Sequence, residues 1–285
     1  MATKAKKRSQ RTSRKKTPTR STHVPTFNRI CNIVPSRGTE KDWTLNDALA
    51  AGALTAAAAL PASVDLRQSW WHIGDQEATG SCVGWASAEG VVRYHMVKAG
   101  KLAKTTQLSP RFVWMASKET DEYTTRPETF IEEAGTSLKA AMDICRKYGV
   151  PTANSLPFHI NTLMNTGEEN AFYAAAAQRR TASYFNLQKD TAKWKTWLAG
   201  HGPILAALSV DKTWDNASAT GGNLDTFFPS TVRGGHAIAI VGYTSSGRFI
   251  CRNSWNTTWG DHGFGYASVA YINAAFFNES YGVTV

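Results

Sequence analysis

With 285 residues, 42% of them hydrophobic and 19% charged, the chain is long and apolar enough to bury a large core, which excludes a wholly disordered protein. Its formal charge of +10 is uneven: Lys4, Lys6, Lys7, Arg8, Arg11, Arg14, Lys15, Lys16 and Arg20 crowd the first twenty residues with no acidic residue among them, which leaves about +1 for the remainder. Four cysteines (Cys31, Cys82, Cys145, Cys251) without a Cys-x-x-Cys or Cys/His cluster exclude a disulfide framework and a structural zinc site.

Residues 1–20 lack apolar periodicity and are expected to be a disordered basic tail. Such a tail either only solubilises, or binds nucleic acid through phosphate contacts, or meets another acidic partner. Residues 21–62 form an N-terminal extension. Phe27, Ile30, Ile33, Val34, Trp43 and Leu45 can dock on a larger body, and Thr44–Leu49 reads as a short capped helix. The extension is either a short pro-segment or an integral brace. The Ala-rich run Leu49–Leu60 is too short to span a membrane, and the N-terminus lacks the apolar core of a secretory signal. The default location is therefore intracellular and cytoplasmic, with nuclear or nucleoid association open through the tail.

After Cys82, apolar residues at 85, 88, 91, 92 and 96 follow a helical period, so Cys82 opens a buried helix. Ser109 and Pro110 begin a second helix as N-cap and first helical residue. A polar loop is expected from Lys118 to Ser137, then a helix from Leu138 to Tyr148 stopped by Gly149 and Pro151. Residues 160–200 read as helical and surface-lying, with Trp194 and Trp197 as packing residues. Asp211–Arg233 is a long Gly-, Ser- and Asn-rich loop of the kind that shapes a cleft. Gly234–Tyr243 and Arg248–Trp255 then form a hairpin about Thr244–Gly247.

The chemistry lies in four residues. Gln76, six residues before Cys82, offers a side-chain amide that can donate to an oxyanion. Cys82, at a helix N-terminus where partial positive charge favours thiolate, is the candidate nucleophile. The hairpin brings His236, near one strand's start, close to Asn253, at the other's end. An imidazole can take the thiol proton while an asparagine carbonyl fixes its tautomer.

The text Val64-Asp65-Leu66-Arg67, Asp75-Gln76 through Gly80-Ser81-Cys82, Gly235-His236-Ala237, Asn253-Ser254-Trp255 and Trp259-Gly260-Asp261-His262-Gly263-Phe264 resembles the papain-like cysteine proteases. The resemblance runs from about Ser63 to about Gly265. It implies an α+β, two-lobed fold: a helical lobe of about 63–150 and a β-rich, barrel-like lobe of about 151–285, with substrate in the cleft between them. It implies Cys82 as nucleophile, His236 as general acid/base, Asn253 as its orienting partner, and Gln76 with the Cys82 N–H as oxyanion hole. Trp255 would shield the His236–Asn253 bond, and Gly135 and Gly235 would bind substrate, Gly135 by pairing with extended backbone before the scissile bond. No cofactor or metal is implied. Three positions depart from the family: Thr79 stands where many secreted members have a disulfide cysteine, and Glu77 and Asn256 stand where glycine is usual. Asn256 falls on the leaving side of the cleft.

The expected activity is thiol-dependent hydrolysis of a peptide or protein, by an endopeptidase. Acyl transfer to an amine is the alternative on the same site. A catalytically silent scaffold binding nucleic acid through its tail is the alternative outside enzymes. The acidic residues Glu119, Asp121, Glu122, Glu128, Glu132 and Glu133, in the loop Lys118–Glu133, form either a solvated acidic loop facing away from the cleft or the basis of a preference for Lys or Arg upstream of the cut.

Overall fold

The computed structural model describes residues 25, 28–55, 59–120, 131–159 and 163–285. The basic tail at 1–20 and the acidic stretch 121–130 lie outside the described residues.

The frame of the described residues is one mixed, eight-stranded sheet. Its strands are β1 (Val64–Asp65), β2 (Ser183–Asn186), β3 (Ile204–Val210), β4 (Asn223–Leu224), β5 (Gly234–Tyr243), β6 (Phe249–Arg252), β7 (Phe264–Ala267) and β8 (Phe276–Thr284). They run in the order β2-β8-β3-β5-β6-β7-β4, with β1 added to β5. Pairing is antiparallel except between β4 and β7. Strands β3 and β5 are nearly continuous apolar runs because both faces of the sheet are covered. Side-chain alternation divides them between two cores. Leu205, Ala207, Ala237, Ala239 and Val241 pack with the helices, whereas Ile204, Ala206, Leu208, Val210, Ile238 and Ile240 pack on the opposite face with Trp194, Trp197 and Trp214.

The helical layer is built around the helix that opens at Cys82. It runs as α-helix over Cys82–Gly84, widens to a π-helical stretch over Trp85–Val92, and returns to α-helix over Arg93–Lys98. Gly90 lies against the sheet, where an added Cβ would come within 3.0 Å of the Ala239 Cβ. Glu89 and Arg93 on this helix are buried and paired at 2.8 Å, and the second Glu89 oxygen accepts the Leu108 N–H at 2.6 Å. Arg252, also buried, adds its charge to the cluster from the end of β6 and donates to the His72 carbonyl. This polar knot ties the helix to the strand that leads into Asn253.

Ser109 caps the helix Pro110–Thr120 by accepting the Phe112 N–H at 3.2 Å. That helix continues through Lys118 to Thr120, where a loop was expected. Lys118 is held inside because its ammonium donates to the Ile131 carbonyl at 2.8 Å and stacks over Trp114. The helix Leu138–Lys147 ends as expected, with Gly149 at a φ of 80°.

The stretch 160–200 is not helical throughout. Helices Glu169–Ala177 and Thr191–Gly200 flank β2, whose aromatic pair Tyr184-Phe185 serves the sheet edge against β8. The helix Glu169–Ala177 packs toward the first helices, with Phe172 and Phe112 5.9 Å apart between ring centres. Trp194 and Trp197 are fully buried, as packing residues should be.

In the extension, Thr44 and Asp47 form a reciprocal cap on the helix Leu45–Ala50, and Ile33 and Leu45 dock as expected. Trp43 does not dock and is 55% exposed. All four cysteines are free and buried. Among the described residues no helix is long and apolar enough to cross a membrane, and no side-chain cluster is suited to a metal ion.

Candidate active site

Cys82 is at the helix N-terminus, His236 is in β5 and Asn253 follows β6, so helix and sheet meet at the site. Antiparallel pairing of β5 with β6 brings His236 Nε2 to 2.7 Å from Asn253 Oδ1. Oδ1 also accepts the Ser254 N–H at 2.8 Å, which fixes the amide's orientation. The other ring nitrogen, His236 Nδ1, is buried and has no hydrogen-bond partner. Trp255 stacks obliquely on the imidazole at 4.7 Å between ring centres, and Trp214 meets it edge-on at 5.5 Å. The sulfur of Cys82 accepts the Ala237 N–H, from the residue after His236. Cysteine and histidine are therefore anchored to the same short piece of β5.

Gln76 joins the group through its own anchors. Its Oε1 accepts from Ser254 Oγ and from the Trp255 indole, both at 3.0 Å. With the oxygen occupied, Nε2 is left to donate outward, at 3.1 Å each to the carbonyls of Thr79 and Ile30. Trp255 thus covers the imidazole and also orients Gln76. The two departures at usual glycine positions share a cause: Glu77 and Asn256 both adopt left-handed backbone, at φ of 55° and 71°. The Asn256 amide donates to Asp75 at 3.3 Å.

The carbonyl of Ile30 at Gln76 belongs to a run of the N-terminal extension that lies across these residues. The Arg29 guanidinium pairs with the Asp75 carboxylate. The Asn32 amide donates to the Glu133 carbonyl, Ile33 N–H donates to the Gly235 carbonyl at 3.2 Å, and Val34 N–H donates to the Thr136 carbonyl at 3.1 Å. Gly135 and Gly234 allow this approach. A Cβ on Gly135 would lie 2.2 Å from the Asn32 carbonyl oxygen, and one on Gly234 would lie 1.7 Å from that of Cys31. Gly135 and Gly235 thus both touch the extension; the paired carbonyl next to Gly135 is supplied by Thr136.

Burial dominates the electrostatics. Desolvation pushes the Cys82 thiol up to about 11, against the smaller pull of the Ala237, Val83 and Cys82 N–H groups. The thiolate expected from a helix N-terminus is not what this covered environment favours. Burial holds the His236 imidazole down to about 3; the Asn253 bond opposes this, while Arg233 and Arg29 reinforce it. Cys31 is pushed up to about 12, chiefly by burial, with Arg233, Cys82 and Asp215 contributing charge effects. Both shifts favour the neutral forms of thiol and imidazole.

Sequence reasoning missed Arg29, Cys31, Asp75 as an ion-pair partner, Arg233 and Trp214. Asp75 was legible as a neighbour of Gln76, but its role depends on which segment crosses the cleft. The expected acidic attraction upstream of the cut loses a described member: Glu132 pairs with buried Arg111 at 2.6 Å, and residues 121–130 lie outside the described residues.

The family model for papain family cysteine proteases matches residues 60–279. Xylellain, a cysteine protease from Xylella fastidiosa, superposes with a TM-score of 0.72 at 19% identity, covering 90% of this chain and 97% of that one. Procathepsin B from Trypanosoma congolense superposes with a TM-score of 0.64 at 16% identity, covering 90% and 87%. A curated relative, Peptidase 1 of Dermatophagoides farinae, is 59% identical over 34 residues, and the match spans 11% of this chain and 11% of the relative. The family match over most of the chain, with an α+β fold shared with known cysteine proteases, establishes that this chain belongs to the papain family of cysteine proteases.

Proposed function

We propose that the protein is an endopeptidase that cuts peptide or protein substrates through a Cys82–His236–Asn253 site. The observation that carries this reading is the imidazole's division of labour. One nitrogen is committed to Asn253 at 2.7 Å, and the other is buried, unpaired and available to exchange a proton. Cys82 gives its proton to His236 and its sulfur attacks the peptide carbonyl carbon. Gln76 Nε2, already aimed by its two anchors, donates to the oxyanion that forms. The C–N bond then breaks as His236 returns the proton to the leaving amine. Water, deprotonated by His236, hydrolyses the thioester to a carboxylic acid and the free thiol.

Residues 28–36 act in this reading as an inhibitory cover. By the family resemblance, residues before the scissile bond lie along the Gly135 side, and the reacting carbonyl lies at Gln76. A substrate therefore meets Gly135 first and Gln76 later in its sequence. The extension does the reverse, with Ile30 at Gln76 and Val34 at Thr136. It runs against substrate polarity and presents no correctly oriented bond. Two structural neighbours, the procathepsins of Trypanosoma congolense and Tenebrio molitor, are themselves proforms, which agrees with this reading. The basic tail at 1–20 is assigned to contact with a polyanion such as nucleic acid, on its charge alone.

The test is to incubate the full chain with an epoxide-type thiol-protease probe and map the label, then to assay a fluorogenic peptide. Labelling of Cys82 with peptide turnover lost in Cys82→Ala is expected. Turnover by a folded Cys82→Ala protein refutes the reading. A product carrying the acyl group on an added amine would assign acyl transfer instead.

A further inference from the structure

The cover carries one side chain whose surroundings resemble a receptor more than a brace. Arg29 is buried to 1% side-chain exposure, and its guanidinium forks onto both oxygens of Asp75, the second contact at 3.3 Å. Asp75 is set for this. Its Oδ1 accepts the Glu77 N–H at 2.8 Å, its Oδ2 accepts the Asn256 amide at 3.3 Å, and its backbone bridges to Trp255. Glu77 and Asn256 both hold left-handed backbone, and the Asn256 amide is a side-chain donor that a glycine at that position would lack. The guanidinium is close enough to His236 to hold its proton affinity down.

The position along the cleft follows from the cover's path. Val34 lies at Thr136, Ile33 at Gly235, Ile30 at Gln76, and Arg29 beyond Gln76. If Thr136 marks the side before the scissile bond and Gln76 the reacting carbonyl, Asp75 lies on the leaving side. We infer that Asp75, braced by Asn256 and the Glu77 N–H, is a subsite for a basic side chain at the first or second position after the cut, with arginine preferred over lysine. This rests on the proposed peptidase site. Arg29 is its resident occupant, and a substrate arginine takes the same place when the cover leaves. A planar guanidinium can engage both carboxylate oxygens together, which an ammonium matches less well.

Binding tests the subsite and hydrolysis tests the reaction, so the two can fail separately. In the full chain carrying Arg29→Gln and Cys82→Ala, which removes the resident guanidinium and prevents turnover, glycine-rich hexapeptides with Arg, Lys, Gln or Glu at the fourth position are titrated by calorimetry. The arginine peptide should bind about tenfold tighter than the glutamine peptide, as a charge-assisted pair implies. Adding Asp75→Asn should remove that ratio, Asp75→Glu should keep most of it, and Asp75→Lys should favour the glutamate peptide. Equal binding of arginine and glutamine peptides, or a preference that survives Asp75→Asn, overturns the subsite. In the Arg29→Gln chain with Cys82 intact, kcat/KM for quenched peptides should rank the same way. Asp75-dependent binding without any hydrolysis would keep the subsite and refute the peptidase reading.

Discussion

Replacing Arg29 by Ala should make the full-length protein a faster peptidase. The cover is held by the Arg29–Asp75 pair, the Gln76 bond to Ile30, two backbone bonds from Ile33 and Val34, and burial of Cys31 and Ile33. Removing one partner of a fully buried ion pair costs about 3–5 kcal/mol, and an exposed pair contributes about 0–1. Arg29 is buried, but Asp75 keeps 19% side-chain exposure and would retain its bonds to Glu77 and Asn256. The loss should therefore fall between these limits, at about 2 kcal/mol, which raises the uncovered population roughly thirtyfold. Initial rates on a short neutral fluorogenic peptide should rise by about that factor while the uncovered form is the minor one, and covalent labelling of Cys82 at neutral pH should rise at least as much. Arg67→Ala is the control, because its pair with Asp65 is 34% and 46% exposed and should hold little. Rates unchanged or lowered in a folded Arg29→Ala protein would refute the cover and leave residues 28–36 as an integral brace.

Other substitutions test the remaining parts. His236→Ala should lose roughly a thousandfold in kcat/KM, and Asn253→Ala less, since it exchanges no proton; Cys145→Ala and Cys251→Ala, buried free thiols with no part in the proposed chemistry, should keep activity in the same peptide assay. Burial holds His236 at about 3 and His95 at about 4, so between pH 6.5 and 4 the unfolded chain protonates both while the folded chain does not. These two groups contribute stability that is whole above pH 6.5 and falls below it, by up to about 2.7 kcal/mol per pH unit, and denaturant midpoints across that range should show the loss in wild type and less of it in His95→Gln. Deleting residues 1–20 should leave turnover of neutral peptides unchanged and abolish any salt-sensitive retention on DNA or RNA; retention equal in the truncated chain would remove the tail from that role.

The catalytic candidates were legible because each has a local signature. Cys82 begins a helix, and His236 and Asn253 fall on and just after the two strands of one hairpin, legible as two apolar runs joined by a short turn. Gln76 was legible by its spacing from Cys82, but its anchoring was not. The Ser254 and Trp255 donors reach it across about 180 residues of chain, and nothing in the local pattern couples them. The same limit hid β2. Tyr184-Phe185 lies between two helices and becomes strand only because β8 offers an unpaired edge. The apolar pattern after Cys82 announced a buried helix but not its π-helical widening over Trp85–Val92, which accompanies burial of Glu89 and close contact with the sheet at Gly90. Least legible was the cover. Its apolar residues fit a pro-segment or a brace equally well, and only the contacts of Ile30, Ile33 and Val34 distinguish a path through the cleft from one around it.

On the proposed reading, residues 28–36 would suppress chemistry in two ways that can be separated. One is steric, because Ile30 occupies the Gln76 donor that an oxyanion would need. The other is electrical. Desolvation raises the thiol to about 11 and lowers the imidazole to about 3, which disfavours both the thiolate and the imidazolium. Water entering the cleft would reverse both effects at once, favouring the thiolate–imidazolium pair that attacks substrate. Losing Arg29 would act in the same direction, since its charge is among those that hold His236 neutral. The pH dependence of Cys82 alkylation by a small neutral reagent such as iodoacetamide therefore carries the distinction. In the intact chain the rate should be low near pH 7 and climb toward pH 11, as for an ordinary buried thiol. In Arg29→Ala it should already be high between about pH 5 and 8 and flatten above, the profile of a thiolate stabilised by an imidazolium. If the two profiles differ only by a constant factor, the cover is a steric lid alone and the electrical half of the argument is wrong.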